Sequence, residues 1–324
     1  MDNIRTLQDL VTRIGPRLKL RWLTPPPGPA LPFRSKGGRI AGQSLVGSLN
    51  CIHPNRIQII GPAELRYLQG LSERAYLETV DRLFSGKPLA ILFTDDLTPA
   101  EIFLKRAQRS GTSLLLTPRS DEEATAYLQY FLTRALAERR IIHGVFMDVL
   151  GTGVLLVGDP AVGKSELALE LIHRGHRLIA DDAPEFAHIA PEVLEGTCPR
   201  LLRDFLEVRG LGILNIRAMF GESAIEQRKP LDLIINLRAL AEAELAQIDR
   251  FKGTLSSRSI LGVEVPEIIM PVAPGRNLAV LVEAAVRHQT LRTRGYDAGA
   301  DFSERQEKAL RELQSSKPAS QGDD

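Results

Sequence analysis

Apolar residues along the chain fall into short continuous runs and longer amphipathic stretches. The runs at 56–60, 89–93 and 113–116 are bounded by turn residues and read as strands. The stretches at 63–69 and 99–109 read as helices, the second stopped by Gly111. This alternation predicts a small α/β domain over residues 1–129. A longer helix opens at Ser120, where Glu123 three residues on gives a capping-box spacing. Its apolar positions Leu128, Phe131, Leu132 and Leu136 repeat at helical intervals up to the charged stretch Glu138-Arg139-Arg140. The domain junction is placed along this helix.

After it the texture changes. Runs at 145–149 and 154–157, separated by Gly151-Thr152-Gly153, form a hairpin-like start to a second sheet, in a domain predicted over residues 130–305. Near its end Asn277 can cap a helix that carries Leu278, Leu281, Val282 and Ala285 on one side and stops at Gly295. The proline cluster Thr24-Pro25-Pro26-Pro27-Gly28-Pro29-Ala30 reads as an extended loop, and the polar stretch 306–324 as a disordered tail. No internal repeat recurs at a fixed period.

A length of 324 residues accommodates two domains, and 44% hydrophobic with 25% charged residues is globular rather than disordered composition. Lys and Arg exceed Asp and Glu by one, 41 against 40, so a phosphate-tracking nucleic-acid binder is an unsuitable reading. Cys51 and Cys198 lack metal-site spacing and fit a reducing compartment. Residues 1–13 lack the roughly 7–15-residue apolar core of a signal peptide. No window reaches the roughly 18 consecutive apolar residues of a membrane span. These features predict a cytoplasmic protein without a membrane or nucleic-acid partner.

The chemistry is concentrated at Gly158-Asp159-Pro160-Ala161-Val162-Gly163-Lys164-Ser165, which fits G-x-x-x-x-G-K-[ST] between a predicted strand and a predicted helix over 166–173. Backbone N–H groups around Gly163 and the helix N-terminus make an anion site, Lys164 neutralises phosphate charge, and the Ser165 hydroxyl can coordinate Mg²⁺. A strand over 176–180 then delivers Asp181-Asp182 to the edge where ligands of open α/β sheets sit. Adjacent acids on a strand point to opposite faces, so only one aims readily at the phosphates. The Asn-Lys-x-Asp motif of a GTPase is missing, Asn236-Leu237-Arg238-Ala239 being the nearest string, and so is the Ser-Gly-Gly-Gln signature of a transport ATPase. A phosphotransferase remains, with a carboxylate taking the proton of an attacking hydroxyl.

Five ordered strings now resemble one family: His143-Gly144-Val145, the phosphate loop, Arg174-Gly175-His176-Arg177-Leu178-Ile179-Ala180-Asp181-Asp182, Leu206-Glu207-Val208-Arg209-Gly210-Leu211-Gly212-Ile213, and Pro271-Val272-Ala273-Pro274-Gly275-Arg276-Asn277. Together they resemble HPr kinase/phosphorylase, through the whole predicted second domain. The resemblance implies a small N-terminal α/β domain joined to a P-loop kinase domain. It also implies a bifunctional enzyme that phosphorylates a regulatory serine of the phosphocarrier HPr with ATP or pyrophosphate and reverses this by phosphorolysis. Asp182 would be the proton acceptor and donor, with His143 and Lys164 in the active site and Ser165 and Glu207 as Mg²⁺ ligands. The stretch from Leu206 through Ile213 and Leu214 to Asn215 would serve both reactions, and Pro271 to Arg276 mainly dephosphorylation. Arg250 matches the family's catalytic arginine, and a cytoplasmic homohexamer is implied.

Two departures stand out. Pro160 and Ala161 occupy positions where the family more often has Ser and Gly, which removes one backbone N–H and some left-handed freedom. Ala273 stands where the family more often has a basic residue, so the loop tied to phosphorolysis lacks one phosphate-attracting charge. Two other readings use the same cradle: a small-molecule kinase, and a non-catalytic ATP-sensing module. The first would ignore HPr, and the second would survive loss of Asp182.

Overall fold

The computed structural model describes residues 4, 6–26, 45–51, 55–239, 255–273 and 275–315. The chain divides into two compact units, Met1–Ala137 and Glu138–Asp324.

Among the described residues the first unit carries a five-stranded sheet in the order Arg21–Trp22, Ser113–Leu116, Ala90–Phe93, Ile57–Ile60, Val46–Ser48. All neighbours are parallel except the antiparallel edge strand Arg21–Trp22. The three central strands read IQII, AILF and SLLL and are buried at every position. Such unbroken apolar runs belong in a parallel sheet covered on both faces. Helices Leu7–Leu18 and Asp121–Leu136 supply Leu10, Ile14, Leu128 and Leu132 to one face. Helices Pro62–Gln69, Glu73–Ser85 and Glu101–Ser110 supply Leu68, Leu83 and Phe103 to the other. Ser120 caps its helix by accepting from the Glu123 N–H, and Gly111 ends its own in the left-handed conformation. Pro25 and Pro26 are irregular, and residues 27–30 of the proline cluster lie outside the described residues.

In the second unit, among the described residues, the main sheet has six strands in the order Leu255–Ile260, Val263–Pro271, Leu233–Arg238, Thr152–Gly158, Val145–Val149, Arg177–Ala180. The strand leading into the phosphate loop, Thr152–Gly158, runs parallel to Leu233–Arg238 with Leu237 opposite Gly158. That strand in turn runs parallel to Val263–Pro271 with Arg238 opposite Pro271. Helices Lys164–His173 and Leu278–Thr293 cover one face, where Leu167, Leu171 and Val282 meet Leu156 and Ile235. On the other face Phe146, Leu155 and Ile234 pack with Phe186 and Leu194 of a second sheet, whose order is Arg228–Pro230, Val193–Thr197, Glu185–Ala190, Glu138–Ile141.

Two elements differ from the sequence reading. The helix ends at Leu136, and Glu138-Arg139-Arg140, read as its charged end, is an edge strand. It is held by pairing with Glu185–Ala190, and by the ion pair of Arg139 with Glu185. Residues 306–315, expected as disordered tail, belong to the helix Ala298–Ser315. No glycine or proline interrupts this stretch after Gly299, and Arg305–Asp301 and Arg311–Glu307 pair one turn apart. Residues 316–324 lie outside the described residues.

Candidate active site

The phosphate loop is shaped by its glycines and by one residue that is not a glycine. Gly158 has φ 148°, and a Cβ there would meet the Leu237 carbonyl oxygen at 2.5 Å, so the neighbouring strand excludes any side chain. Gly163 has φ 98° and opens the helix Lys164–His173. Between them Ala161 takes φ 65°, a left-handed conformation that costs an L-residue about 1–2 kcal/mol. The loop therefore keeps the backbone path that glycine would take at no cost. The Val162 N–H donates to the Asp159 carbonyl at 3.2 Å, tightening the turn, and Pro160 has no N–H to offer. Lys164 lies across the loop, its Nζ 3.0 Å from the carbonyl oxygens of both Gly158 and Asp159.

Strand Arg177–Ala180 carries the two aspartates to the same edge, and their environments part. Asp181 is buried, which pushes its carboxyl pKa upward, and its Oδ2 accepts the Glu207 backbone N–H at 2.8 Å. It ties the end of its strand to the hairpin strand Phe205–Val208. Asp182 has φ 66° and holds an exposed carboxylate 2.8 Å from His143 Nδ1. Its carbonyl oxygen accepts the Gly144 N–H at 3.3 Å and lies 3.1 Å from the same His143 nitrogen. Gly144 is constrained, since a Cβ there would meet the Leu156 carbonyl oxygen at 2.4 Å. His143 and Asp182 are thus brought together by backbone as well as side chain.

The stretch 206–215 is a hairpin of Phe205–Val208 with Gly212–Asn215. Leu206 and Val208 turn into the core while Glu207 is exposed, with Ile213 opposite it and Leu214 packed inward. Arg209, Gly210 and Leu211 make the exposed turn, which Gly210 and Gly212 close at φ 87° and 83°. Asn215 accepts the Ala218 N–H and caps the next short helix. Strand Phe205–Val208 packs on the helix that carries Ser165. The half-buried Ser165 hydroxyl and the exposed Glu207 carboxylate are hard oxygen donors, which fits Mg²⁺ completing its sphere with phosphate oxygens and water. Among the described residues no three His, Cys, Asp or Glu side chains gather into a metal cluster.

Pro271 ends its strand, and the Val272 N–H donates to the Arg238 carbonyl oxygen at 2.8 Å. The Arg276 N–H donates to the Ala273 carbonyl oxygen, Gly275 has φ 82°, and Asn277 caps the following helix by accepting the Val280 N–H. Pro274 and Arg250 lie outside the described residues.

The structure adds residues to which sequence reasoning assigned no role in the site. A cleft of about 280 Å³ is lined by His143, Gly158 and Asp159 together with Asn236, Arg238 and Arg258. Arg258 grips Glu267 with two guanidinium nitrogens, one at 3.0 Å, and Asn236 Nδ2 donates to the same carboxylate at 2.9 Å. Burial alone would raise the Glu267 pKa, but the Arg258 and Asn236 hydrogen bonds outweigh it and hold the carboxyl below its ordinary value. The signal that could have found these residues is sheet neighbourhood: Leu233–Arg238 lies beside the loop's own strand. No spacing within the sequence encodes that.

The arrangement places a phosphate loop with its lysine at the same sheet edge as an exposed carboxylate paired with histidine, groups that can bind phosphate and accept a hydroxyl proton. Residues 6–132 match the family model "HPr Serine kinase N terminus", and residues 134–306 match "HPr Serine kinase C-terminal domain". The HPr kinase/phosphorylase of Stenotrophomonas maltophilia strain K279a is 45% identical over 311 residues, covering 96% of this chain and 98% of that one. That of Xanthomonas axonopodis pv. citri strain 306 is 44% identical with the same coverage. The solved structure of the Hpr(Ser) kinase/phosphatase from Coxiella burnetii is 33% identical, covers 50% of this chain and 98% of its own, and has a TM-score of 0.44. With both units matched and relatives aligned along nearly their whole length, the chain belongs to the HPr kinase/phosphorylase family.

Proposed function

We propose that the chain phosphorylates a serine of the phosphocarrier HPr with ATP or pyrophosphate, and dephosphorylates it with inorganic phosphate to give pyrophosphate. The observation that carries this reading is the exposed Asp182 carboxylate 2.8 Å from His143, at the strand edge that also bears the phosphate loop. In the forward direction Asp182 takes the seryl proton as the seryl oxygen bonds to the transferring phosphorus, and the bond from that phosphorus to the leaving phosphate oxygen breaks. In reverse an oxygen of inorganic phosphate bonds to the phosphoserine phosphorus, the seryl O–P bond breaks, and Asp182 returns its proton to the seryl oxygen. His143 orients the carboxylate, and Lys164 offsets phosphate charge. Arg250, by family resemblance, would stabilise the phosphoryl oxygens.

Ser165 and Glu207 are assigned to Mg²⁺, which when bound neutralises phosphate charge. We further assign HPr as the protein partner, a homohexamer as the working form and the cytoplasm as its compartment. Among the described residues no helix is long and apolar enough to cross a membrane.

The test is labelled ATP with HPr and Mg²⁺, followed by excess inorganic phosphate. Phosphoserine should form and then leave as labelled pyrophosphate, and chelation of Mg²⁺ should stop the labelling. Asp182→Asn should lower kcat by roughly 10²–10⁴-fold, the range for loss of a general base. Undiminished turnover in that variant would overturn the role of Asp182, and absence of any HPr labelling would overturn the reaction.

A further inference from the structure

The hairpin of Phe205–Val208 with Gly212–Asn215 is a two-stranded sheet of its own, and its two faces differ. Successive residues of a strand alternate between faces. Leu206 and Val208 turn into the core, where Leu214, directly opposite Leu206, packs with them. The other face therefore carries Phe205 and Glu207 on one strand and Asn215 and Ile213 on the next, with Ile213 directly opposite Glu207. Ile213 is 72% exposed, Leu211 at the turn 65% and Phe205 40%. Large apolar side chains thus stand in water around a carboxylate, an arrangement that marks a contact surface. The face is also fixed in place. The Glu207 N–H donates to buried Asp181 at 2.8 Å, and the next residue, Asp182, holds the carboxylate paired with His143.

We propose that this hairpin face docks the protein substrate, with Phe205, Leu211 and Ile213 receiving apolar side chains that flank the target serine. This rests on the reaction proposed above. Continuity with the reacting groups selects the occupant. A serine on a folded protein reaches Asp182 only when the surface around it is seated beside Asp182, and the Asp181–Glu207 bond ties the hairpin to that place. A second copy of the chain seated on the same face would bury Glu207 and close the site to its substrate. Leu201 and Met219 lie outside the hairpin, on the helices Arg200–Leu202 and Ile216–Phe220, and remain available for contacts between copies. A few apolar anchors suffice for docking, because specific protein contacts draw most of their affinity from a handful of desolvated side chains.

The experiment uses the full chain and three readouts. Titration calorimetry without nucleotide gives the affinity for HPr, serine labelling gives KM for HPr and kcat, and light scattering gives the assembled mass. Ile213→Ser and Phe205→Ser should each weaken HPr binding and raise KM for HPr about 10- to 100-fold, with ATP affinity moved far less and the mass retained. Ile213→Val keeps the apolar contact and should stay within roughly threefold of wild type. Polar substitution of an exposed apolar side chain flanking the serine of HPr should weaken binding to the wild-type chain but little further to Ile213→Ser, a coupling that a merely structural role would not produce. Undiminished HPr binding in both serine variants would overturn the inference while leaving the reaction standing. So would an equal loss of ATP affinity, which would make the face a support of the hairpin, or a fall in mass, which would make it a contact between copies. A wild-type chain that binds HPr through this face but forms no phosphoserine would support the docking surface and overturn the reaction. A wild-type chain with neither would overturn both.

Discussion

Single residues in this site are held by backbone geometry as much as by side-chain contact. Ala161 and Asp182 both sit in the left-handed region without being glycine, and each brings a functional segment to its position. The two substitutions that probe Ala161 have opposite expectations. Ala161→Gly relieves strain but adds freedom to the unfolded chain, so urea unfolding should place it within about 1 kcal/mol of wild type. Ala161→Val puts a β-branched side chain at positive φ and should cost on the order of 2 kcal/mol, with weaker ATP binding measured by titration calorimetry. What was legible at this scale was whatever local chemistry announces: the glycines and lysine of the loop, the paired aspartates, the caps at Ser120 and Asn277. Strand alternation showed that only one of Asp181 and Asp182 could readily face the phosphates, and the family resemblance, not the alternation, singled out Asp182. The physical difference between them comes from distant chain: the Glu207 N–H reaches the buried Asp181 from a hairpin 26 positions on, and His143 meets Asp182.

Among elements, the parallel strands and the helices with clear stops were readable because their signals are local. The strand Glu138–Ile141 was not, because four mostly polar residues become a strand only when Glu185–Ala190 lies beside them. Helix Glu73–Ser85 is an addition of the structure, although Ser72 caps it and Val80, Leu83 and Phe84 form its buried side. Its signal is present in the sequence. The helices flanking the phosphate site are fastened by Glu283, which receives two hydrogen bonds from Arg174, at 2.8 and 3.0 Å, and stands 3.0 Å from His176 Nε2. The Arg174 contact first, and then His176, hold the Glu283 pKa at about 2. A carboxylate depressed in the folded state stabilises fully above its unfolded pKa, and the benefit is lost as pH falls toward the folded value. Glu283→Gln should therefore cost on the order of 2 kcal/mol in urea unfolding at pH 7. The gap to wild type should narrow between about pH 4.5 and pH 2.

For the whole molecule, two separate cores and the texture change after residue 136 made the two-domain α/β architecture readable from composition and pattern, and family models match both parts. The assembled state is a different matter. The second unit exposes Leu201, Phe205, Leu211, Ile213 and Met219, more apolar side chains around one hairpin than a solitary soluble chain usually displays. Light scattering should return a mass six times that of one chain, in line with the proposed hexamer, and a monomer at working concentration would overturn it.

The fastening at Glu283 also has a mechanical meaning. The helix that starts in the phosphate loop, Lys164–His173, is followed at once by Arg174, and the helix that follows residues 271–276 carries Glu283 in its second turn. Joined there, the two helices form one lever with a different loop at each working end. A strain applied by a ligand at one loop is then carried to the other through a stiff body rather than absorbed between them. On the reaction proposed above, slackening the joint would change the apparent affinity for ATP in the forward direction and for inorganic phosphate in the reverse.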